Sequence, residues 1–564
     1  MISFGPLRTE VSDVLVIGGG GAGCQAAIWA QRTGDVSVCL VEKGVVGASG
    51  CTVMGTYSCC AALGHADQRD NPHVHFKDTL IGGADIAEQA LLTKFVEDAP
   101  SRVLELLEYG VPFEKEGKRL KQVRIEGHTY PRGCFVGMRT GQAIQWGLRR
   151  KLRDIREIRR YNDIQIYRLL HVDGRVFGAM GLCRKTLSPI RFLARSIIIA
   201  TGGCGQLYSH TTTSLDNTGD GLSIAFEAGA SLMDMEFIQF YPISSIYPRL
   251  IGMTRVAPTF LKQVPGCRIY NRLGQDFVAA KYPQWQNSLN RDVLSQLIYR
   301  EIKEGRGTNQ EGVYIDVTAS NPREMERVLS IGNYLKKLEE MGINLKTTPL
   351  EIGVASHYLM GGIQVDENGE TNITGLFAAG EAIAGIHGAN RLGGNALSEI
   401  LVTGARAGQR AAQFALRQKE IPTFFPKNEW DEWIEGLFSR PHAGTPPSRL
   451  KRSLQELMWN YVGVERTGED LIQGLKKLSD FQSALDKELD FRHDFKVYHM
   501  ELHDAIELRL MLGLAKTIML AAYKREESRG AHLRVDFPEP KAEWVTNLVL
   551  IKKGDDVVCV QKAK

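Results

Sequence analysis

Residues 14–42 constrain this chain more than any other stretch. They read VLVIGGGGAGCQAAIWAQRTGDVSVCLVE. Residues 14–17 are a short apolar run closed by glycine, the pattern of a buried parallel strand. Gly18-x-Gly20-x-x-Gly23 follows, residues 22–32 are rich in helix formers, and a second apolar run over residues 36–41 ends in Glu42. Strand, glycine turn, helix, strand and acid therefore succeed one another in register. The glycines let the backbone turn tightly and approach a pyrophosphate, which sits on the helix N-terminus where free N–H groups point outward. Glu42 stands about 20 residues past Gly23, where an acid accepts from a ribose hydroxyl. The stretch predicts a dinucleotide site.

A chain of 564 residues has room for two to four domains and a large core. Its net charge of +4 is too weak to argue for nucleic acid or a membrane surface as partner. The cysteines, at 24, 39, 51, 59, 60, 134, 183, 204, 267 and 559, include no C-x-x-C pair, so neither a zinc site nor an iron–sulfur cluster is expected within this chain. Reduced thiols in a cytoplasmic protein are expected, with Cys59-Cys60 structural. No run approaches the ~18 apolar residues of a membrane span, and the first residues lack the apolar core of a signal peptide. Any membrane association is expected to run through a partner subunit.

Along the chain, residues 43–80 read as a glycine- and cysteine-rich loop followed by polar coil. Residues 85–110 read as a helix, and residues 141–160 (QAIQWGLRRKLRDIREIRR from Gln142 on) as a basic helix with a solvated face. Residues 164–200 alternate as strands and run into ATGG at 200–203, a second backbone turn aimed at the cofactor. Residues 236–350 gain Pro, Tyr and Arg and lose strand–helix alternation, which suggests an inserted domain. Glycine-rich sequence returns at 351–408, and amphipathic helices dominate after about 421. Two apolar runs split by KGDD at 553–556 predict a closing hairpin. The expected organisation is thus 1–235 and 351–420 for a cofactor domain in two parts, 236–350 for an inserted cap, and 421–564 for a helical domain with a short tail.

GGGGAG at 18–23, ATGG at 200–203, MEFIQFYP at 235–242, RDVLSQ at 291–296, SHYLMGGI at 356–363, AAGEA at 378–382, HGANRLGGNAL at 387–397 and ESRGAHLRVDFP at 527–538 carry a resemblance over about residues 12–540. Together they resemble the flavoprotein subunit of the succinate dehydrogenase / fumarate reductase family, which includes L-aspartate oxidase. The resemblance implies an α/β fold: a glutathione-reductase-like FAD-binding domain, an inserted α+β capping domain over the flavin, and a C-terminal helical domain. It implies FAD contacts at Gly18, Gly20, Gly21, Ala22, Gly23, Glu42, Lys43, Ser49, Thr52, Gly55, Ala200, Gly202, Asp220, Glu381, Ala396 and Leu397. His357 and Arg391 match the pair that holds one substrate carboxylate, and Arg291 matches the arginine that exchanges a proton with the substrate carbon. No metal ligand is implied.

Departures from the family pattern are as informative. The covalently flavinylated members have a histidine before the Thr-Val found here as Thr52-Val53; this chain has Cys51. No histidyl link can form, so FAD is expected to bind non-covalently, which favours reduction of a substrate or oxidase chemistry over succinate oxidation; a cysteinyl link is the alternative. The substrate histidine of the family's FHP or YHP is Tyr241 here, which can donate one hydrogen bond but cannot be a cation. The family's TEGCRGEGG stretch is missing. Anchoring on Met253-Thr254 puts Arg255 at the glutamate; counting back from Asn271 makes Thr259 the threonine and Phe260 the glutamate. Either way the Glu–Arg–Glu proton relay is gone, which weakens Arg291 as an acid, since an arginine with pKa above ~12 needs a relay. Arg249, Arg255, Lys262 and Arg268 make the same region basic.

The leading expectation is a flavin-dependent oxidoreductase, the catalytic subunit of a fumarate-reductase-like complex. It would interconvert a C–C single and double bond beside the carboxylate of a small substrate and exchange electrons with an iron–sulfur subunit. An L-aspartate-oxidase-like enzyme, an adenylylsulfate-reductase-like subunit, and an electron-transfer flavoprotein subunit without dicarboxylate turnover remain open.

Overall fold

The computed structural model describes residues 6–247, 261–329, 338–422, 425, 429–437, 444–490 and 497–562. The strand Arg8–Ile17 lies inside a seven-stranded sheet, flanked in parallel by Val38–Val41 on one side and Pro189–Ile199 on the other. Val14, Leu15 and Val16 are fully buried, as a strand covered on both faces requires. Ile158–Tyr161 extends the sheet beyond Val38–Val41, also in parallel. On the far side, Arg175–Cys183 and Ile164–Val172 join as an antiparallel meander, while Leu376–Ala378 pairs in parallel with Pro189–Ile199.

The helix Gly21–Thr33 leaves the first strand through the glycine turn and packs along Asn395–Leu416. The two backbones meet closely: a Cβ on Gly408 would lie 2.2 Å from the Ala26 carbonyl oxygen. Chain segments almost four hundred residues apart thus close one unit around the first glycine turn.

A second sheet, antiparallel throughout, has the order Ile238–Tyr247, Leu350–Leu359, Val313–Asp316, Arg268–Tyr270. Its longest pair joins Ile238–Tyr247 to Leu350–Leu359, which carries the SHYL motif into this sheet. Against it lies Arg291–Lys303. The C-terminal part is built from Pro447–Val462, Gly468–Glu488 and Met500–Lys524. The hairpin Leu548–Lys553 and Asp556–Gln561 does not hang free: it adds to Leu232–Met233, tying the end of the chain to the edge of the inserted segment.

Two local expectations are corrected. The basic helix ends at Arg153, and Ile158–Tyr161 is the edge strand. Its arginines hid the strand pattern, yet they are what the edge uses: Arg159 pairs with Glu10 at 2.9 Å, and the Tyr161 hydroxyl donates to the same carboxylate at 2.6 Å. The supposed polar coil contains the helix Pro72–Gly82. Its start signal was present in Asn71-Pro72: Asn71 Oδ1 accepts from Val74 N at 3.2 Å, and proline occupies the first turn.

Candidate active site

The glycine turn forms one wall of a narrow groove. Gly18 has φ +106° and donates its N–H to the Val41 carbonyl at 2.8 Å. A Cβ there would lie 2.3 Å from the Ala200 oxygen, so both glycine turns touch at that point. Gly20, Gly21, Ala22, Glu42, Lys43, Thr52, Ala200, Gly202, Asp220 and Glu381 line the groove. The helix Gly21–Thr33 begins there without a side-chain cap. Its first N–H groups are therefore available to an anion, apart from that of Gly21, which donates to Thr52 Oγ1 at 3.1 Å. Such a wall suits a pyrophosphate.

Two of the sixteen expected contact residues line neither the groove nor the cavity beside it, and a third lines the groove with its charge already engaged by protein. Gly23 does not line the groove: its Cβ would lie 1.8 Å from the Gly18 carbonyl oxygen, so its smallness serves the packing of helix on strand. Ser49 lies outside the groove, with its hydroxyl accepting from Val45 N at 2.7 Å. Lys43 lines the groove but spends its ammonium on protein. It donates to Thr218 Oγ1 at 2.7 Å, Asp220 Oδ2 at 2.9 Å and Glu507 Oε1 at 2.8 Å. Burial pulls its pKa down, and the Asp220 and Glu507 carboxylates more than reverse this, so the charge is locked on. Lys43 thereby holds Asp220 in the groove and anchors Met500–Lys524 beneath it. Glu42 accepts from the Gly19 and Gly44 amides, and burial raises its pKa.

Beyond Cys51, Thr52, Glu381 and Ile400, which line both spaces, the groove gives way to a cavity of about 940 Å³. Gly55, Ala396 and Leu397 lie on its wall, and so do all four expected substrate-site residues: Tyr241, Arg291, His357 and Arg391. They arrive from four segments. Tyr241 and His357 sit on the paired strands Ile238–Tyr247 and Leu350–Leu359, with ring centroids 4.8 Å apart. Arg291 opens the helix Arg291–Lys303 and places its guanidinium carbon 5.1 Å from the Tyr241 ring centre. Arg391 lies in the loop before Asn395–Leu416, its guanidinium 4.5 Å from the Tyr358 ring.

Gln239, two residues before Tyr241 and missed in the sequence, fixes Arg391 from both ends. Its amide donates to the Arg391 carbonyl at 2.9 Å, and its oxygen accepts from Arg391 Nη2 at 2.9 Å. Alternation along the strand was the available signal, since Gln239 and Tyr241 share a face. Arg391 Nε is buried with no protein partner. Leaving such a donor unsatisfied costs about 1–3 kcal/mol or more, which a bound carboxylate would relieve. Burial, and then the charge of Arg291, lower the pKa of Arg391. Thr212, also missed, holds His357: the Thr212 hydroxyl and His357 Nδ1 are 2.7 Å apart. Burial followed by Arg391 and Arg291 pushes the imidazole pKa well below its usual value, so His357 is neutral. Two guanidiniums beside a neutral imidazole make an anion site.

Arg249, Arg255, Thr259 and Phe260 lie outside the described residues. The other two cations of that basic region are paired: Lys262 with Glu126 at 3.2 Å and Arg268 with Asp316 at 3.1 Å. No group of residues able to hold a metal ion, and no helix long and apolar enough to cross a membrane, occurs among the described residues.

Residues 13–397 match the family model of the FAD binding domain, and residues 451–562 match that of the fumarate reductase flavoprotein C-terminus. One component of the fumarate reductase (CoM/CoB) of Methanothermobacter marburgensis is 37% identical over 96% of this chain and 97% of its own. The chain belongs to the fumarate reductase / succinate dehydrogenase flavoprotein family. Another relative is the fumarate reductase flavoprotein subunit of Mycobacterium tuberculosis, at 31% identity over 97% of this chain and 96% of its own. Among solved structures, a chain of the Mycobacterium smegmatis Sdh1 complex with UQ1 superposes with TM-score 0.90 at 34% identity, covering 98% of this chain and 94% of that one. A chain of E. coli quinol fumarate reductase gives 0.87 at 26%, covering 98% and 97%.

As a member of this family the protein is an FAD-dependent oxidoreductase. Its own residues fit the cofactor: backbone glycine faces the groove, and an uncapped helix start meets it. Beside Gly20 a Cβ would find only Thr52 Oγ1, at 3.8 Å, so a pyrophosphate has room to approach the backbone.

Proposed function

We propose that this protein is the catalytic flavoprotein subunit of a fumarate-reductase-like complex, which reduces the C=C bond of a small unsaturated carboxylate. The observation that carries this reading is the meeting of Arg291, His357, Arg391 and Tyr241 on one cavity continuous with the dinucleotide groove. The groove residues described above, with Gly55, Ala396 and Leu397 on the cavity side, would hold the FAD. When bound, FAD supplies the hydride chemistry.

The chain's own residues do the rest. Arg391 Nε, buried and unpartnered, receives a substrate carboxylate and stabilises charge that builds on it as the double bond is reduced. Neutral His357, steadied through Nδ1 by Thr212, offers Nε2 to the same carboxylate. Tyr241 fills the space between His357 and Arg291 and has a hydroxyl to donate. Arg291 gives a guanidinium proton to the second carbon.

FAD held non-covalently is part of this reading. Burial pushes the Cys51 thiol up to about 12, with Glu381 adding to it, and a protonated thiol is a poor nucleophile. An iron–sulfur partner is proposed as the electron source, because the relatives are themselves subunits of larger enzymes.

The test is anaerobic. Flavin reduced with dithionite is mixed with fumarate, and absorbance at the oxidised band is followed. Rapid reoxidation is expected; none would overturn the reading and favour an electron-transfer subunit without turnover. Acid precipitation is expected to leave the flavin in the supernatant, and a yellow pellet would overturn non-covalent binding.

A further inference from the structure

An arginine that donates a proton must be recharged before the next turnover, and while a substrate fills the cavity a side chain that itself meets water gives the proton a path to it. Residues 248–260, the segment in which the family's relay carboxylates would fall, contain no Asp or Glu. Among the described residues lining the cavity, the carboxylates are Glu381 and Glu126. Glu381 lies at the junction with the groove, 9% exposed, its Oε1 accepting from Leu359 N at 3.2 Å. Glu126 is different: its side chain is 34% exposed, so it exchanges protons with water.

The loop that carries Glu126 is set against Arg291. A methyl group built on Gly393 would lie 2.8 Å from Ile125 Cγ2 and 3.1 Å from Arg291 Nη2, so the residue before Glu126 and the guanidinium flank the same point. His128 pins the loop there. Its Nε2 lies 2.9 Å from the Gly393 carbonyl oxygen, and its N–H donates to the Ile125 carbonyl at 3.1 Å. The Glu126 charge also reaches Asp292, the neighbour of Arg291. From the inserted segment, Lys262 Nζ approaches Glu126 Oε2 to 3.2 Å, and both line the cavity.

We propose that Glu126 returns protons to Arg291, taking the place of the relay that this chain lacks. The proposal rests on the reductive reading of the site and adds the proton path to it. The balance closes. Arg291 gives one proton to the substrate carbon and becomes a neutral guanidine. The Glu126 carboxylic acid gives its proton to that guanidine and becomes a carboxylate. The carboxylate then takes a proton from water at the cavity mouth. One proton enters per turnover, and the electron pair comes with the hydride that the reduced flavin already supplies. Lys262 holds the carboxylate in place between deliveries. Glu126 acts through Arg291 and need not touch the substrate.

The test uses the flavin-loaded protein with fumarate, comparing wild type with Glu126→Gln, Glu126→Asp and Lys262→Met. Glu126→Gln is expected to lower kcat by about 100-fold or more, in the range lost with a proton-transfer group, while KM moves little. Glu126→Asp, which keeps a carboxyl group, should recover much of the loss, and Lys262→Met, which only loosens the carboxylate, should lose clearly less than Glu126→Gln. Glu126→Gln turning over at close to the wild-type rate would overturn the proposal. Equal losses in Glu126→Gln and Lys262→Met would also overturn it, because an ion pair that merely closes the cavity is broken by either change. Failure of the wild type itself to be reoxidised by fumarate would sink the reductive reading and this path with it, whereas failure confined to the variants' pattern removes the path alone.

Discussion

The groove and the cavity share a wall but are built in opposite ways. The groove is made mostly of backbone. Its decisive features, Gly18, Gly20 and the uncapped start of Gly21–Thr33, are contiguous in sequence, and ligand approach depends on side chains being absent. The cavity is made of side chains from Ile238–Tyr247, Arg291–Lys303, Leu350–Leu359 and the loop at Arg391, which only the folded chain brings together. A backbone site tolerates no added atom but little specific chemistry is lost with any one side chain. A side-chain site tolerates changes of volume but loses its chemistry with one functional group.

The largest effect that can break this comparison is Gly23→Ala. The new Cβ would sit 1.8 Å from the Gly18 carbonyl, and neither strand nor helix can yield without opening the turn. We expect protein that purifies without flavin or fails to accumulate, measured as the ratio of flavin to protein absorbance. Flavin bound at wild-type occupancy would mean that the turn is more pliable than its packing indicates. Arg291→Lys tests the other side. Lysine keeps the charge but loses the planar fork. Turnover is expected to fall by at least about 100-fold, with flavin content unchanged. A fall in flavin content would show that the two regions are not separable; unchanged turnover would remove Arg291 from the mechanism.

The same contrast explains what could be read from the sequence. The groove was legible because its signal is local: the strands ending at Ile17 and Val41, the helix between them and both glycine turns lie where the pattern placed them, although the first strand reaches back to Arg8 and the second begins only at Val38. Gly23 packs against the Gly18 carbonyl and Lys43, on the groove wall, also pairs with Asp220 and Glu507; spacing reports that a glycine or lysine is needed, not every neighbour that needs it. Tyr241, Arg291, His357 and Arg391 were recoverable only through motifs of the family. Gln239 lies inside MEFIQFYP but the motif does not say what it holds, and Thr212 and Glu126 lie in no motif; their surroundings appear only when the fold brings 239 against 391, and when the 125–128 turn is pinned to Gly393. The edge strand Ile158–Tyr161 was lost because its exposed arginines read as a helix surface, while their partner Glu10 is some 150 residues away.

The smallest expected effect falls on Glu381, where the two regions meet. Burial, reinforced by Glu399 and opposed by the Leu359 N–H, raises its pKa from 4.5 to about 7 in the chain without cofactor. The folded state then holds a proton that the unfolded chain releases at pH above 4.5. Stability from this group is therefore undiminished below that point, declines as pH rises from 4.5 to 7, and is level above. Glu381→Gln removes the penalty while keeping an oxygen for Leu359 N. The melting temperature of the flavin-free variant, relative to flavin-free wild type, is expected to rise between pH 5 and pH 8, by a stability difference of at most about 3 kcal/mol. A difference independent of pH would mean that Glu381 titrates as an ordinary carboxylate, and that the shared wall is wetter than its burial implies. A pH-dependent difference confined to the flavin-free protein would place the proton of Glu381 under the control of the cofactor, so that the backbone site sets the charge at the edge of the side-chain site.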